Sequence, residues 1–453
     1  MSEVKTQAIF KIQGGTPLRG CVRVGGAKNA SYKLMIAALL GQAESRLLNL
    51  PAISDVAMVT EVMQSLGAEV VSAGEQTLFI RPQALWNFEI AAKYGEASRA
   101  STLFLGPLLA KFGQASVPLP GGDKIGKRPL ERHLDGLKAM GVELTQENGF
   151  LKAKTTGLVG TNYKFAKNTH TGTETLIMAA VLAKGTTILE NSALEPEVDD
   201  LIVFLNAMGA KIRRRAFKVI EIEGVEKLTG AIHRIMPDRN EAVSYACAAI
   251  ASKGDIVVEN ARASDLTAFL EKLTEVGAGF EVGEYGIRFF YKGPLRSADV
   301  QTLIHPGFMT DWQPLWATLA CHATGDSIIH ETVMQNRFQY VETLVKMGAK
   351  ISPIQPEVGN PDQFYNFDWH DNKPTDVHAI KISGPTEFHG GEYAVHDLRA
   401  GATTLLAAIS GEGTTILHNI EQIERGYQNI EAKLRSLGAK IERLVVPVDS
   451  IGA

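Results

Sequence analysis

The chain is poor in cysteine and has no long hydrophobic run. Its 453 residues include only three cysteines, Cys21, Cys247 and Cys321, which lie far apart and form no CxxC pair. This argues against a disulfide framework and against a cysteine-bound zinc site. No apolar segment is long enough to span a bilayer, and the first residues lack the apolar core of a signal peptide. We therefore expect a cytoplasmic protein with no membrane partner.

The chain also lacks an excess of positive charge. It has 46 Lys and Arg against 50 Asp and Glu, so its net charge is −4. Without a basic stripe, we expect no nucleic-acid partner, which disfavours repeat-built enzymes that act on nucleic acid. The apolar fraction of 45% is that of an ordinary globular protein. The length suggests about two to four domains, without predicting an oligomeric state.

One five-residue phrase occurs six times. Its first residue is apolar, the second is Gly, the third is Ala or Val, the fourth varies and the fifth is apolar. The copies start at Leu66, Met140, Met208, Val276, Met347 and Leu437. Most neighbouring copies lie roughly 70 residues apart, a period that indicates a repeat architecture. The last interval is longer because a segment rich in Asn, Asp and Pro runs from about Glu357 to Asp376, which we interpret as a surface loop.

Each phrase ends an amphipathic helix, and its glycine suits a left-handed position at the helix C-terminus. A more uniformly apolar helix, such as NEAVSYACAAIA or RAGATTLLAAIS, precedes each amphipathic one and is predicted to be buried on most sides. Phrases rich in β-branched residues, such as GTTILEN at Gly185 and GDIVVEN at Gly254, predict strands. The unit is therefore predicted as β-α-β-α-β-β, repeated six times.

The contrast between the two helices of each unit bears on the architecture. An open solenoid is the simplest arrangement of repeats, but it does not require one buried and one amphipathic helix per unit. We therefore predict an α/β protein with two closed domains of three units each, in which the apolar helices lie inside. The break between the two domains is predicted between the third and fourth units, near Ile232–Met236.

Charged residues are concentrated at the predicted helix starts. Asp is an ordinary cap there, whereas Arg and Lys oppose the helix dipole and are less expected. Basic residues occur near these starts at Lys28, Arg99, Arg128, Arg337, Arg399 and Arg425. If equivalent ends of the two domains face each other, these cations and the free N–H groups form one anion-binding cleft. The pattern predicts a ligand that carries phosphate and carboxylate groups.

Several motifs, taken with the six units, resemble the UDP-N-acetylglucosamine 1-carboxyvinyltransferase family of enolpyruvyl transferases. They are AKNA at Ala27, LPGGDKIGKRP at Leu119, TD at Thr310, NRF at Asn336, DLRA at Asp397 and RGY at Arg425. The resemblance covers essentially the whole chain. It implies the two-domain inside-out α/β barrel of the enolpyruvyl transferase fold, with the N-terminal strand in the C-terminal domain. The implied domains are residues 28–234, with a mobile loop at 119–129, and residues 1–27 together with 235–453.

The resemblance also implies a reaction. The enolpyruvyl group of phosphoenolpyruvate passes to the 3-hydroxyl of UDP-N-acetylglucosamine, through a tetrahedral intermediate and with release of phosphate. This is the first committed step of peptidoglycan synthesis, which serves cell-wall biogenesis, cell shape and cell division. The implied partners are these two small molecules, and no metal or organic cofactor is implied.

Roles carry over residue by residue. Lys28, Arg128 and Arg425 match positions that hold the phosphate of phosphoenolpyruvate, and Arg337 and Arg399 match positions near its carboxylate. The nucleotide-sugar side is matched by Asn29, Arg99, Lys167, Thr169, Asp311 and Val333. Asp311 is the candidate general base for the sugar hydroxyl, because a positioned carboxylate can assist a poor nucleophile. The candidate catalytic residues are Lys28, Asp123 and Asp311.

The loop from Leu119 to Pro129 carries the most informative departure from the family. In the family this loop closes over the substrates and excludes water, which would bring Arg128 into the site. Many members have cysteine where this chain has Asp123, and fosfomycin alkylates that thiolate; some members have aspartate. Asp123 would then protonate the methylene carbon of phosphoenolpyruvate or assist phosphate departure. We predict an active, fosfomycin-insensitive enzyme, because a carboxylate is a weaker nucleophile than a thiolate.

Further departures fall on the nucleotide-sugar side. KNTHTGTET at Lys167 replaces a smaller, more apolar run, and Glu131 and Arg132 stand where Asp-Leu is more usual. His170 is interpreted as polar packing or a surface side chain. Another acceptor, such as shikimate 3-phosphate, and an inactive binding homologue therefore stay open as alternatives. The AKNA and PGGDKIGKRP motifs argue against the first, and the joint presence of the charged residues argues against the second.

Overall fold

The computed structural model describes residues 6–74, 76–97, 99–119 and 129–447. The described chain divides into two compact units. The C-terminal unit contains residues 6–24 and 237–447, and the N-terminal unit contains residues 25–119 and 129–236, apart from positions 75 and 98. The sequence predicts the boundaries at 27/28 and 234/235.

The described chain contains apolar, largely buried helices and amphipathic helices. In chain order they are α1 (Lys28–Ala38), α2 (Ser54–Ser65), α3 (Ala92–Ala97), α4 (Leu105–Phe112), α5 (Glu131–Ala139), α6 (His170–Ala180), α7 (Pro196–Ala207), α8 (Arg239–Ala251), α9 (Thr267–Val276), α10 (Gln313–His322), α11 (Val341–Lys346), α12 (Pro361–Phe364), α13 (Leu398–Ser410), α14 (Glu421–Glu424) and α15 (Ile430–Ser436). Short 3-10 helices cover Arg99–Phe104, Ala263–Asp265 and Trp369–Asp371. None of the helices in the described ranges is long and apolar enough to cross a membrane.

The strands are short and lie between these helices. In chain order they are β1 (Thr6–Gln13), β2 (Arg19–Arg23), β3 (Ser45–Leu48), β4 (Glu69–Ser72), β5 (Thr77–Arg81), β6 (Gln114–Pro118), β7 (Glu143–Glu147), β8 (Phe150–Lys154), β9 (Asn162–Lys164), β10 (Thr186–Glu190), β11 (Lys211–Ala216), β12 (Val219–Glu223), β13 (Ile232–Arg234), β14 (Asp255–Glu259), β15 (Gly279–Gly283), β16 (Gly286–Phe290), β17 (Val300–Gln301), β18 (Gly325–His330), β19 (Lys350–Ile354), β20 (Ala379–Gly384), β21 (His389–Ala394), β22 (Glu412–His418) and β23 (Lys440–Pro447).

These strands form six sheets in the part of the chain that the structure describes, three in each unit. The N-terminal unit has the orders β13-β3-β5-β4, β6-β8-β7 and β11-β12-β10-β9. The C-terminal unit has β15-β16-β14-β2, β17-β18-β20-β19 and β21-β22-β1-β23. β1 lies between β22 and β23 and is antiparallel to both, so the N-terminal strand does belong to the C-terminal unit.

The repeated glycine has the same left-handed conformation in all six sequence repeats. The φ angles are 101° at Gly67, 87° at Gly141, 106° at Gly209, 82° at Gly277, 111° at Gly348 and 96° at Gly438. Each of these glycines follows an amphipathic helix and precedes the strand β4, β7, β11, β15, β19 or β23. A side chain is strained at such angles, which explains why glycine recurs there. The predicted helix-to-strand turn is therefore confirmed at every copy.

The second of the six sequence repeats departs from the predicted β-α-β-α-β-β order. Its first strand is reduced to an isolated bridge between Glu89 and Ser116, and its sheet has three strands. The side chain of Asn87 accepts a hydrogen bond from the backbone N–H of Glu89 and donates to the carbonyl of the same residue. The bridge itself uses the carbonyl of Phe88 and the N–H of Ile90, which bond to Ser116, while Asn87 satisfies the backbone groups of Glu89 between them.

In the described chain, a strand paired within its own unit precedes each of two points where the chain passes from one unit to the other. β2, just before the first crossing, pairs in parallel with β14 of the C-terminal unit. β13, just before the second crossing, pairs in parallel with β3 of the N-terminal unit. Each crossing therefore passes directly from a paired strand to a buried helix, α1 or α8.

Each unit has its own hydrophobic core, built around its apolar helices. In the C-terminal unit α8, α10 and α13 each pack against both of the others. All residues of α8 are buried, from Arg239 to Ala251. In a solenoid a repeat contacts only its neighbours along the chain, so the contact between α8 and α13 excludes that arrangement for this unit.

Candidate active site

Lys28 is the first residue of α1, and its ammonium group forms an ion pair with Asp55. Its Nζ lies 2.7 Å from Oδ2 of Asp55, in the first turn of α2, and the two side chains are 12% and 9% exposed. The same Nζ lies 5.7 Å from the centre of the Tyr32 ring. The ion pair therefore fixes an ammonium group where two helices begin, with Asn29 next to it in the chain.

A hydrogen bond connects the first turn of α5 to the residues just before α6. Thr169 caps α6, because its side chain accepts a hydrogen bond from the Gly172 N–H at 3.2 Å. The carbonyl of Asn168 accepts a hydrogen bond from Nη1 of Arg132 at 3.2 Å. Lys167 precedes this carbonyl in the chain, so two basic residues lie close to the N-terminus of α6.

Arg99 contributes a further cation to this region. It begins the 3-10 helix that leads into α4, near the buried ring of His133. Burial, together with the positive charges of Arg99 and Arg132, lowers the pKa of His133 to about 3. His133 Nε2 lies 2.9 Å from the hydroxyl of Thr171. His133 is therefore neutral near pH 7, and the charge of the region comes from the arginines.

A buried ionic cluster that the sequence did not predict lies beside these residues. Nζ of Lys33 and Oε2 of Glu174 are 2.7 Å apart, and the two side chains are 1% and 0% exposed. His170 completes the cluster, with Nε2 at 2.9 Å from Lys33 Nζ and 3.1 Å from Glu174 Oε1. The Tyr32 ring lies 5.8 Å from Lys33 Nζ as well as near Lys28. The starts of α1 and α6 are thus connected through charged side chains.

We expect Glu174→Gln to destabilise the protein by about 3–5 kcal/mol, since it leaves the buried Lys33 without a counter-charge. The measurement is urea-induced unfolding of the full chain. The matched control is Glu223→Gln, because Glu223 pairs with Lys211 at a site where both side chains are more than half exposed. Such a pair contributes about 1 kcal/mol or less. Equal losses in the two variants would contradict the assigned role of Glu174.

In the C-terminal unit Asp311 is paired with two arginines. Its Oδ1 lies 2.6 Å from Nη2 of Arg337, and its Oδ2 lies 3.7 Å from Nη2 of Arg399. Both guanidinium groups are buried, whereas the side chain of Asp311 is 21% exposed. The carboxylate is therefore held in a fixed orientation while it stays accessible to a ligand.

The other two aspartates at equivalent helix starts behave differently. The side chain of Asp238 accepts hydrogen bonds from the N–H groups of Asn240 and Glu241, and so caps α8. Asp397 caps α13 in the same way. α10 begins at Gln313 with Trp312 as its cap residue and no side-chain cap bond. Asp311 thus does not cap α10, and its orientation depends on the arginines.

Arg399 is also held by a tyrosine. Its Nη1 donates to the Tyr427 hydroxyl at 2.8 Å, and that oxygen lies 2.7 Å from the Ser244 hydroxyl. Burial alone would lower the pKa of Arg399, but Tyr427, Asp311 and Asp238 outweigh it, and the net pKa is raised. Arg425 ends α14, just before Tyr427 in the chain. Arg399 is therefore a permanent cation beside Asp311.

The buried carboxylate of Glu331 positions Arg337, and the sequence did not single it out. It accepts hydrogen bonds from the hydroxyls of Thr302 and Thr310, each at 2.8 Å, and from the N–H of Val333 at 2.8 Å. Because the Thr310 proton points to Glu331, the oxygen of Thr310 can accept from Nη1 of Arg337 at 2.9 Å. Glu331 thus fixes both Val333 and Arg337.

A signal for Glu331 exists in the repeats. The strand phrases at Gly185, Gly254 and Gly413 end in Asn, whereas the phrase at Gly325 ends in Glu331. The equivalent asparagines have positive φ, and those at 191 and 419 donate hydrogen bonds to a backbone carbonyl. A carboxylate at that position breaks the pattern, and comparison of the repeats could have identified it.

The segment between Glu357 and Asp376 packs against the Val333–Arg337 stretch. The Gln335 side chain donates to Oδ2 of Asp376 at 2.6 Å, and the N–H of Asn366 donates to the Thr332 carbonyl at 2.8 Å. Stacked aromatic rings support the segment from within, with Tyr365 and Trp369 at 4.9 Å and an interplanar angle of 6°. The predicted surface loop is therefore structured where it meets the candidate site.

The structure places the sequence-predicted residues in two groups, one in each unit. The N-terminal unit holds Lys28, Asn29, Arg99, Lys167 and Thr169 at or near the starts of its helices. The C-terminal unit holds Asp311, Val333, Arg337 and Arg399 in one contact network, with Arg425 near Tyr427. Asp123 and Arg128 lie outside the described residues.

A family model described as EPSP synthase (3-phosphoshikimate 1-carboxyvinyltransferase) matches residues 12–434. A UDP-N-acetylglucosamine 1-carboxyvinyltransferase of Koribacter versatilis is 42% identical over 438 residues, which is 96% of each chain. The enzyme of the same name from Acidobacterium capsulatum is 40% identical over 439 residues, again 96% of each chain.

Two solved structures are similar in fold. The enolpyruvyl transferase NikO from Streptomyces tendae has a TM-score of 0.84 at 23% identity, covering 98% of this chain and all of that one. EPSP synthase from Acinetobacter baumannii has a TM-score of 0.69 at 18% identity, covering 97% of this chain and all of that one. At these identities the similarity concerns the fold alone, and it confirms the predicted fold class.

Proposed function

We propose the reaction of this chain from the premise that it belongs to the EPSP synthase family and, within it, to the UDP-N-acetylglucosamine 1-carboxyvinyltransferases. The chain transfers the enolpyruvyl group of phosphoenolpyruvate to the 3-hydroxyl of UDP-N-acetylglucosamine. Inorganic phosphate is the second product. The reaction commits the sugar nucleotide to peptidoglycan synthesis, and so supports cell-wall biogenesis, cell shape and division.

The chemistry is an addition followed by an elimination. The sugar oxygen bonds to C2 of phosphoenolpyruvate while its proton passes to Asp311, and C3 takes up a proton from Asp123. The carboxylate of Asp123 then takes back a proton from C3 of the tetrahedral intermediate, and the electrons of that C–H bond form the C2–C3 double bond of the enol ether. The bond between C2 and the phosphate oxygen breaks, its electron pair leaves with the phosphate, and Asp311 gives its proton to solvent. A positioned carboxylate typically contributes about 10²–10⁴-fold to such a proton transfer.

The cations bind the anionic groups of the substrates. Lys28, Arg128 and Arg425 hold the phosphate of phosphoenolpyruvate, and Arg337 and Arg399 hold its carboxylate, since a guanidinium binds such groups bidentately. The nucleotide sugar is bound by Asn29, Arg99, Lys167, Thr169, Asp311 and Val333. The burial of Arg337 and Arg399 supports their assignment, because arginines that only form surface ion pairs stay exposed to solvent.

The observation that carries the proposal is Asp311 held between Arg337 and Arg399 without capping its helix. A structural aspartate at this position would cap α10, as Asp238 and Asp397 cap their helices. An inactive homologue would have no need to hold an accessible carboxylate between two buried cations. The arrangement therefore favours an active enzyme with Asp311 at the reacting hydroxyl.

The test is phosphate release from phosphoenolpyruvate by the purified chain with each of two acceptors. We expect release, and an enol ether detectable by mass spectrometry, with UDP-N-acetylglucosamine and none with shikimate 3-phosphate. The relatives that are 40–42% identical carry the first acceptor in their name, while the family model carries the second. Release with shikimate 3-phosphate alone would assign the other reaction, and release with neither would favour an inactive homologue.

We also place the reaction in the cytoplasm, without a nucleic-acid or membrane partner. The described cysteines are all free, as a reducing compartment favours. Both substrates are small and anionic, and the balanced net charge of −4 suits a local basic site better than a polyanion-binding surface.

A further inference from the structure

We propose that His170 donates a hydrogen bond from Nδ1 to the diphosphate of the nucleotide-sugar acceptor, and that the buried Lys33–Glu174 pair fixes the imidazole for this role. The inference rests on the proposed function for the identity of the acceptor. It concerns a residue in the KNTHTGTET segment, at the start of α6.

The partners of Nε2 decide which ring nitrogen carries the outward proton. Lys33 Nζ, at 2.9 Å from Nε2, can only donate a hydrogen bond, so a neutral imidazole must accept at Nε2 and carry its proton on Nδ1. A protonated imidazole can instead donate from Nε2 to Oε1 of Glu174, at 3.1 Å, and still carries a proton on Nδ1. In both charge states Nδ1 is therefore a donor.

This donor is accessible and unused. Both polar contacts of the ring involve Nε2, and among the described residues no acceptor contacts Nδ1. Nδ1 is not buried, and the side chain is 22% exposed. A ligand at the start of α6 can therefore reach this N–H, while Lys33 and Glu174 are closed to solvent.

The surroundings of Nδ1 favour a phosphate oxygen as the acceptor. His170 is the first residue of α6, so the backbone N–H groups of His170 and Thr171 have no partner within the helix, and the described chain places no other acceptor on them. Arg132 donates to the Asn168 carbonyl nearby, and Lys167 precedes it. Oriented N–H groups and two basic residues together suit the two negative charges of a diphosphate.

Charge within the cluster adds a dependence on pH. The charged groups that act on the His170 ring are Lys33 on α1, Glu174 on α6 and, just before α7, Glu195, whose Oε2 is buried without a hydrogen-bond partner among the described residues. Burial disfavours the charged imidazole, but Glu174 and Glu195 outweigh burial and the charge of Lys33, so the pKa of His170 is raised above its ordinary 6.5. The added positive charge is complete at low pH and is lost as pH rises through this raised pKa. On α5, His133 does not titrate here because its pKa is about 3.

The test is calorimetric binding of UDP-N-acetylglucosamine to the full chain between pH 6 and 9. For the unaltered chain we expect affinity to fall by about 10-fold as His170 loses its charge. In His170→Asn the amide nitrogen occupies roughly the position of Nδ1, so we expect the high-pH affinity to be kept and the gain at low pH to vanish. In His170→Gln the amide nitrogen lies nearer the position of Nε2, so the hydrogen bond and the charge are both lost. We expect its binding to be about 10-fold weaker than that of the unaltered chain at high pH and about 100-fold weaker at low pH, with little change across the range.

Two results would overturn the inference: a Gln variant with unaltered affinity and pH dependence, or an Asn variant no better than Gln at high pH. Nitrogen NMR of the unaltered chain avoids dependence on variants that fold poorly. We expect UDP to shift the His170 Nδ1 resonance and uridine, which lacks the diphosphate, to leave it unchanged. UDP binding that leaves His170 unmoved would contradict the inference alone. Absence of phosphate release with UDP-N-acetylglucosamine, despite a UDP-induced shift at His170, would contradict the proposed reaction alone.

Discussion

Replacing Asp311 by asparagine is expected to lower kcat for phosphate release by about 10²–10⁴-fold. The amide keeps the shape of the side chain, but it cannot take the proton of the sugar hydroxyl. Because the hydroxyl can still donate a hydrogen bond to the amide oxygen, we expect KM for UDP-N-acetylglucosamine to change far less than kcat. Steady-state kinetics with phosphoenolpyruvate at saturation separate the two quantities.

The matched control is Asp326→Asn in the same unit. Asp326 is an exposed aspartate whose carboxylate pairs with Lys381 at 2.9 Å, so its loss tests the general effect of removing one negative charge. We expect kcat of this variant to equal that of the unaltered chain. A kcat for Asp311→Asn that also stays near the unaltered value would remove Asp311 from the proton transfer and leave it a binding role.

The repeat made much of the fold predictable. The apolar phrases begin within a few residues of α1, α6, α8, α10 and α13, because a helix that is apolar on all sides can only be buried. The glycine phrase located the ends of the amphipathic helices correctly, because one backbone conformation recurs at each end. The reduction of the strand near Glu89 to a single bridge with Ser116 was not predicted, since such pairing depends on a segment distant in the chain.

The candidate site was predictable only in part, for a different physical reason. Basic residues at helix starts can be located from the repeat, and this identified Lys28 and Arg399, whereas Asp311 was identified through the family resemblance. Partners across the fold cannot be located in that way: Lys33 and Glu174 lie on different helices, and each alone looks like an ordinary polar residue on an apolar helix. His170 was interpreted as packing or surface because its contacts become visible only when those helices are placed together.

The same limit applies to the network around Asp311. The sequence suggests a cap at Asp311, as at Asp238, and only the positions of Arg337 and Arg399 show that its carboxylate is directed elsewhere. Glu331 acts through Thr310, so its effect on Arg337 requires three residues from separate segments. Capping is a local property that a sequence can predict, whereas the orientation of a catalytic carboxylate depends on contacts between distant segments.

Fosfomycin is expected to leave the unaltered chain active and without an adduct, whereas Asp123→Cys is expected to gain a single covalent adduct. The reason is chemical: the epoxide reacts with a thiolate, and a carboxylate is a far weaker nucleophile. The measurements are phosphate release after timed exposure to the drug and the intact mass of the chain. The adduct mass reports the reaction even if the variant turns over slowly.

The native cysteines provide the control for this experiment. Cys247 and Cys321 are buried, and burial raises the pKa of Cys321 to about 12 and that of Cys247 further, so neither forms the reactive thiolate near neutral pH. Cys21 is exposed, so Cys21→Ser should be combined with Asp123→Cys to assign the adduct. An adduct on Asp123 of the unaltered chain, located by peptide mass spectrometry, would show that this carboxylate is nucleophilic enough to open the epoxide. Insensitivity would then require a cause other than the replacement of cysteine by aspartate.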